Sequence, residues 1–156
     1  MTIVDTHAHI YSEDNDKYPF MDKPYLPAKG RGTIDDLEIE VKQNKVDKVV
    51  IVQTASAYEH DNKLTLDTVK QNKDWTVGVL NLNPFDGNLV KLMEDYRKSG
   101  IRGNRVSVSW PKDDNVLPQH YRLWEAAREF DYIITALLNP ENCNSLAKLL
   151  EDFPEV

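Results

Sequence analysis

Two histidines separated by one residue close the first apolar run of the chain, Val4-Asp5-Thr6-His7-Ala8-His9. In an extended strand, residues two apart project to the same side. His7 and His9 therefore present two imidazoles together, a natural half of a zinc, iron or manganese site. A lone His-x-His also arises when one ring packs in a core and the other is solvated. The context favours the metal reading, because the pair sits at the C-terminal end of a buried-type strand and a long loop follows. Barrel enzymes build their sites at such strand ends. Asp5 reads as a strand-end polar group rather than as a partner for an imidazole.

Other residues could join this chemistry. His60 follows the second β-rich run and suits substrate contact or proton transfer, since imidazoles titrate near neutrality. Its neighbours Asp61 and Asn62 read as a helix N-cap, and a surface histidine beside a cap is the commoner case. Tyr58 and Gln53, from the same strand end, are weaker candidates for substrate contact. Arg105 lies inside an apolar strand, which is costly unless the guanidinium is paired or faces a polar mouth. Its planar fork would hold both oxygens of a carboxylate; the alternative is an ion pair with a neighbouring helix. Arg102 is expected to face outward, and His120, after Pro118, to be structural or solvated. The acidic run Glu13-Asp14-Asn15-Asp16 lacks the glycine and later glutamate of a calcium loop and reads as a solvated turn. Tyr18, Pro19, Phe20 and Trp110 either wall a pocket or simply pack. No nucleophile-elbow serine, P-loop or dinucleotide fingerprint is present.

These residues need a scaffold. Five β-rich runs are expected at residues 2–6, 48–53, 76–82, 101–108 and 132–138. The second, Lys-Val-Val-Ile-Val-Gln, is apolar at successive positions, as in a parallel strand covered on both faces. Helical patterns lie between the runs. Thr33 can cap a helix carrying Ile34, Leu37 and Val41, with Asp35 and Asp36 in its first turn. Asn88 precedes the stripe Leu89, Leu92, Met93 and Tyr96, and Gly100 marks its stop. Leu123, Ala127 and Phe130 mark another helix, and Asn139-Pro140 opens the last, with Cys143, Leu146 and Leu150. The pattern over residues 61–72 is the weakest. The alternation implies βαβ units and a parallel sheet. Residues 11–32 form a loop long enough to be functional. An open five-stranded sheet would leave two bare edges, which invite pairing.

Bulk properties bound the partners. The chain has 156 residues, enough for one domain with a core. With 40% hydrophobic and 29% charged residues it is globular rather than disordered. A net charge of -7 without a basic cluster argues against nucleic acid or an anionic membrane. The single cysteine, Cys143, excludes an internal disulfide and fits a reducing compartment. The N-terminus lacks the basic and apolar regions of a signal peptide, and no stretch is apolar enough to span a bilayer. A cytoplasmic protein acting on a small molecule is expected.

Across essentially its whole length the sequence resembles the amidohydrolase-related group of TIM-barrel hydrolases, which includes 2-pyrone-4,6-dicarboxylate lactonases and sugar lactonases. The resemblance rests on Val-Asp-Thr-His-Ala-His-Ile, Tyr18-Pro19-Phe20, Val49-Val50-Ile51-Val52-Gln53, Tyr58-Glu59-His60-Asp61-Asn62, Val77-Gly78-Val79 and Ile101-Arg102-Gly103-Asn104-Arg105. It implies an α/β fold, a partial (β/α)8 TIM barrel of about five β/α units with parallel strands. Residues 1–156 would then be the N-terminal part of a single barrel domain. It further implies His7 and His9 as ligands of one divalent metal, zinc first with manganese or iron as alternatives, although some lactonases of the group are thought to work without one. In the resembling lactonases an arginine in the setting of Arg105 lies near a substrate carboxylate; from their place at the end of strand two, His60 is the expected catalytic residue and Tyr58 and Gln53 are expected in substrate binding. Strand four has no lysine, so a binuclear site bridged by a carboxylated lysine is not expected. The family's later histidine and aspartate, from strands six and eight, would lie beyond Val156. The implied reaction is attack of an activated water on a lactone, ester or amide of a carboxylated or sugar-derived substrate. Alternatives are a decarboxylase of the same family, or an inactive half-barrel that forms a homodimer through its exposed sheet edges.

Overall fold

The computed structural model describes residues 1–106 and 116–156; the expected end of the fourth strand and Trp110 lie outside the described residues. Strands and helices alternate: β1 (Val4–Ala8), α1 (Ile34–Gln43), β2 (Lys48–Val52), α2 (Ala55–Tyr58), α3 (Lys63–Gln71), β3 (Thr76–Leu80), α4 (Leu89–Arg97), β4 (Ile101–Val106), α5 (Pro118–Glu129), β5 (Ile133–Ala136) and α6 (Cys143–Asp152). A 3₁₀ turn, Pro140–Asn142, precedes α6. Strand order follows chain order. All five expected strands are present. The first starts two residues later than the apolar run suggested and so takes in His7 and Ala8. The single-turn helix α2 carries no amphipathic pattern and was not expected.

The chain forms two compact units. The first comprises Met1–Asn81 with Ser99–Ile101. Its strands are parallel, with β2 and β3 in continuous register from Val49 opposite Thr76 to Val52 opposite Val79. Between β1 and β2 the register slips: Asp5 faces Val49, but Ala8 faces Ile51. One extra residue is therefore accommodated in β1 around Thr6-His7, an irregularity of the kind that re-aims a side chain near a site. Val49 and Ile51 of β2, Leu80 of β3 and Val69 of α3 are buried in the core. Gly78 is required there, because a Cβ would collide with the side chains of Ile101 and Val69. Helix α1 begins as expected: Thr33 Oγ1 accepts from the Asp36 N–H at 3.2 Å and Asp36 returns a bond to the Thr33 N–H at 3.1 Å.

The second unit comprises Leu82–Lys98 with Arg102–Val156. There β4 and β5 pair in parallel from Gly103 opposite Ile133 to Val106 opposite Ala136. Leu89 and Met93 of α4 and Leu123, Trp124 and Ala127 of α5 are buried, and Tyr132 donates its hydroxyl to the Met93 carbonyl at 2.9 Å. Burial raises the Tyr132 pKa well above the usual phenol value. Phe153 packs beside Trp124 with ring centroids 6.3 Å apart. His120 is buried rather than solvated, and its Nδ1 accepts from the Leu117 N–H at 3.0 Å, capping the start of α5.

Candidate active site at the strand ends

His7 and His9 do converge. Their rings meet edge to face, with centroids 4.8 Å apart and planes at 86°. The two Nε2 atoms are 3.2 Å apart. Two nitrogens on a four-coordinate zinc, each at about 2.0–2.1 Å, are about 3.3 Å apart. The pair thus already spans one edge of a zinc coordination polyhedron. His9 is also oriented for this task. Its Nδ1 lies 2.8 Å from the Val52 carbonyl, the last residue of β2. A carbonyl can only accept, so Nδ1 carries the proton and the Nε2 lone pair is presented outward. A ligand histidine is ordinarily held by such a bond through its other nitrogen. The Asp5 carboxylate accepts from the His7 N–H at 3.0 Å and braces the backbone where the register slips. Among the described residues no three His, Cys, Asp or Glu side chains form a metal-sized group. His7 and His9 by themselves are a pair of nitrogen donors.

The loop after β2 holds the other candidates of this unit. His60 is exposed, and its Nδ1 donates to the Asn81 carbonyl just beyond β3 at 2.8 Å. Gln53 is fully buried, and its amide serves the loop: Nε2 donates to the Asp61 carbonyl at 2.8 Å, and Oε1 accepts from Thr65 Oγ1 at 2.7 Å. Tyr58 is buried too; its hydroxyl accepts from the Ser12 N–H at 2.9 Å and its ring stacks at 5.2 Å on Phe20. Burial pushes the Tyr58 phenol pKa up. Asn62 does precede α3, yet its side chain makes no cap bond; Asp61 accepts the Lys63 N–H instead, at 3.1 Å. Asn81 carries no apolar pattern or spacing signal, and only the fold reveals it as a partner of this loop.

The long loop after β1 is ordered against α2. Met21 N donates to the Ala57 carbonyl at 2.8 Å and Tyr25 N to the Ser56 carbonyl at 2.9 Å. Tyr18 hydrogen-bonds Asp67 of α3 at 3.0 Å and lies under Lys17 and Lys63. Tyr18 and Phe20 are therefore packed, and Phe20 also lines a cleft of about 260 Å³ with Tyr11, Leu26, Pro27, Lys29 and Arg31. The acidic run is a turn, with Asp14 accepting the Lys17 N–H at 3.0 Å.

Arg105 belongs to the second unit. It is half-buried, and burial alone lowers the pKa of its guanidinium. No carboxylate among the described residues pairs with it, so the expected alternative of a helix ion pair is not seen there. Arg102 is exposed, as expected, and donates to the Arg97 carbonyl at 3.0 Å.

The alternation of parallel strands and helices defines a partial (β/α)8 barrel, with a histidine pair at the end of its first strand. The chain belongs to the amidohydrolase family, whose model matches residues 4–156. Its fold is that of a probable 2-pyrone-4,6-dicarboxylic acid hydrolase from Acinetobacter baumannii, solved with citric acid bound (TM-score 0.79, 17% identity, covering 99% of this chain and 55% of that one). An amidohydrolase from Burkholderia multivorans, solved with bound zinc, is also similar (TM-score 0.68, 13% identity, 98% of this chain and 55% of that one). So is 5-carboxyvanillate decarboxylase from Sphingomonas paucimobilis (TM-score 0.66, 17% identity, 98% of this chain and 65% of that one). The chain thus spans little more than half the length of the hydrolase it resembles. No curated protein matches it. No helix of the described residues is long and apolar enough to cross a membrane.

Proposed function

We propose that this chain contributes two metal ligands and a carboxylate-binding arginine to a hydrolase that opens a lactone, ester or amide of a small carboxylated or sugar-derived substrate. The observation that carries the reading is the His7–His9 pair, 3.2 Å apart at Nε2, with His9 held by the Val52 carbonyl. His7 and His9 would hold one divalent cation, zinc first, and the zinc in the Burkholderia relative supports that choice. When bound, such a cation supplies Lewis-acid polarisation of a carbonyl and lowers the pKa of water.

The chain's own residues supply the remainder. Arg105 would bind a substrate carboxylate, since its guanidinium is half-buried, pairs with no carboxylate among the described residues, and has a planar fork that suits both oxygens. His60 would accept a proton through Nε2. Gln53 and Tyr58 would act by holding the loops that carry His60 and the β1 loop. A single exposed thiol accords with a reducing cytoplasm.

A decarboxylase is the second reading, supported by the carboxyvanillate enzyme of the same fold and by an arginine that suits a carboxylate in either reaction. Calorimetry with zinc and manganese tests the site. Stoichiometric binding lost in a His7→Ala/His9→Ala variant supports the reading, and no binding by folded protein refutes it for this chain. Incubation with a pyrone dicarboxylate then separates the reactions: ring opening marks a hydrolase, and release of carbon dioxide marks a decarboxylase.

A further inference from the structure

The turn between α2 and α3 has a backbone that its local sequence does not explain. Glu59 sits at φ 49° and ψ −113°, a conformation open to glycine and strained for a residue with a Cβ. Strain of this kind persists only where surrounding structure over-determines it.

Three buried amides do so here. The Glu59 carbonyl accepts from Asn81 Nδ2 at 3.1 Å and from Gln53 Nε2 at 3.5 Å. Asn62 Nδ2 donates to the His60 carbonyl at 2.8 Å and to the Asn81 carbonyl at 3.2 Å, and its Oδ1 accepts from the Asn81 N–H at 2.8 Å. Gln53, Asn62 and Asn81 are all at least nine-tenths buried. Burying three amides is costly unless each is satisfied, and a turn that merely reversed the chain would not need them.

Their contacts converge on one residue. Asn62 bridges the His60 and Asn81 main chains, the same two residues joined by the bond from His60 Nδ1 to the Asn81 carbonyl. A carbonyl has no proton to give, so this bond fixes the proton of the neutral ring on Nδ1. An unconstrained histidine prefers the opposite tautomer.

We propose that Asn62 and Asn81 are positioning residues that lock His60 in the Nδ1–H tautomer, and that the strained Glu59 turn is retained to present His60 Nε2 as a fixed proton acceptor. The use of that acceptor on a substrate rests on the hydrolase reading; the tautomer does not.

The test is nitrogen NMR of the imidazoles in the full chain, labelled with ¹⁵N-histidine, at a pH where the rings are neutral and without metal or substrate. His60 is assigned by its disappearance in His60→Gln. We expect the wild type to show His60 protonated at Nδ1, and Asn62→Ala to shift it toward the Nε2–H form. Asn62→Asp, which keeps an acceptor for the Asn81 N–H and deletes both donors, gives an intermediate shift if the alanine variant does not fold. A wild-type His60 protonated at Nε2 or averaging between tautomers would overturn the proposal, as would an unchanged tautomer in a folded Asn62 variant. A correctly locked His60 in a protein that neither binds metal nor turns over a lactone would leave this proposal standing and sink the hydrolase reading.

Discussion

His7 and His9 differ in how firmly they are held. His9 has its tautomer set by a backbone carbonyl, and His7 has its position set by the irregular end of β1 and by Asp5. Loss of an orienting partner costs roughly 10–100-fold in metal affinity, and loss of a ligand should cost more. His7→Ala and His9→Ala are each expected to weaken zinc binding beyond that range, as read by competition against a chelator. At Arg105 the expectation concerns ligands instead. A charge-assisted hydrogen bond contributes about 1.5–3 kcal/mol, so Arg105→Gln should weaken a dicarboxylate ligand roughly tenfold or more and leave its neutral ester unaffected. Equal losses for acid and ester would show that the arginine serves packing. Glu59→Gly should raise stability by about 1 kcal/mol by relieving the positive-φ strain, less the entropy that glycine adds to the unfolded chain; urea denaturation reads this directly.

Among the elements, the unit built on β1, β2 and β3 depends on one missing side chain. Gly78 lets α3 and the start of β4 close over β3, and a methyl group there meets Ile101 and Val69. Gly78→Ala is therefore expected to destabilise by about 1–3 kcal/mol through overpacking, although the same change in an exposed strand would be mild. At the entrance to α1, Thr33→Ala removes the cap that Asp36 reciprocates and should cost about 1 kcal/mol. Thr33→Ser keeps the oxygen and should restore the loss. Both are measured by chemical denaturation of the same preparation. Helix α2 plays a different part: its carbonyls at Ser56 and Ala57 receive Tyr25 and Met21, so a single turn serves as the dock for the long β1 loop.

For the whole molecule, acid stability is expected to follow His120. Burial lowers its pKa from the usual 6.5, so the folded state keeps the ring neutral while the unfolded chain takes up a proton. The unfolded chain binds more protons below its own pKa, and stability falls with falling pH. The loss should begin near pH 6.5, grow through the window down to the depressed folded value, and level off below it. A His120→Asn variant should lack that dependence in thermal melts across the window.

The run Val4 to His9, the apolar β2 and the capped α1 were legible because strand period, buried-strand composition and capping chemistry are local properties, each encoded within a few neighbouring residues. The same locality made the pairing of His7 with His9 readable, since two residues on one strand need no knowledge of the rest of the fold. The tertiary structure alone decided what Gln53, Asn62 and Asn81 do. Gln53 is separated from Thr65 by 12 residues and Asn62 from Asn81 by 19, and an amide that bonds across such separations leaves no periodic trace. The strain at Glu59 was invisible for a related reason. A glutamate gives no sign of positive φ, and only the surrounding bonds hold it there. The Val52 carbonyl that orients His9 was likewise beyond reach, because every residue has such a carbonyl and only strand register brings this one to the ring.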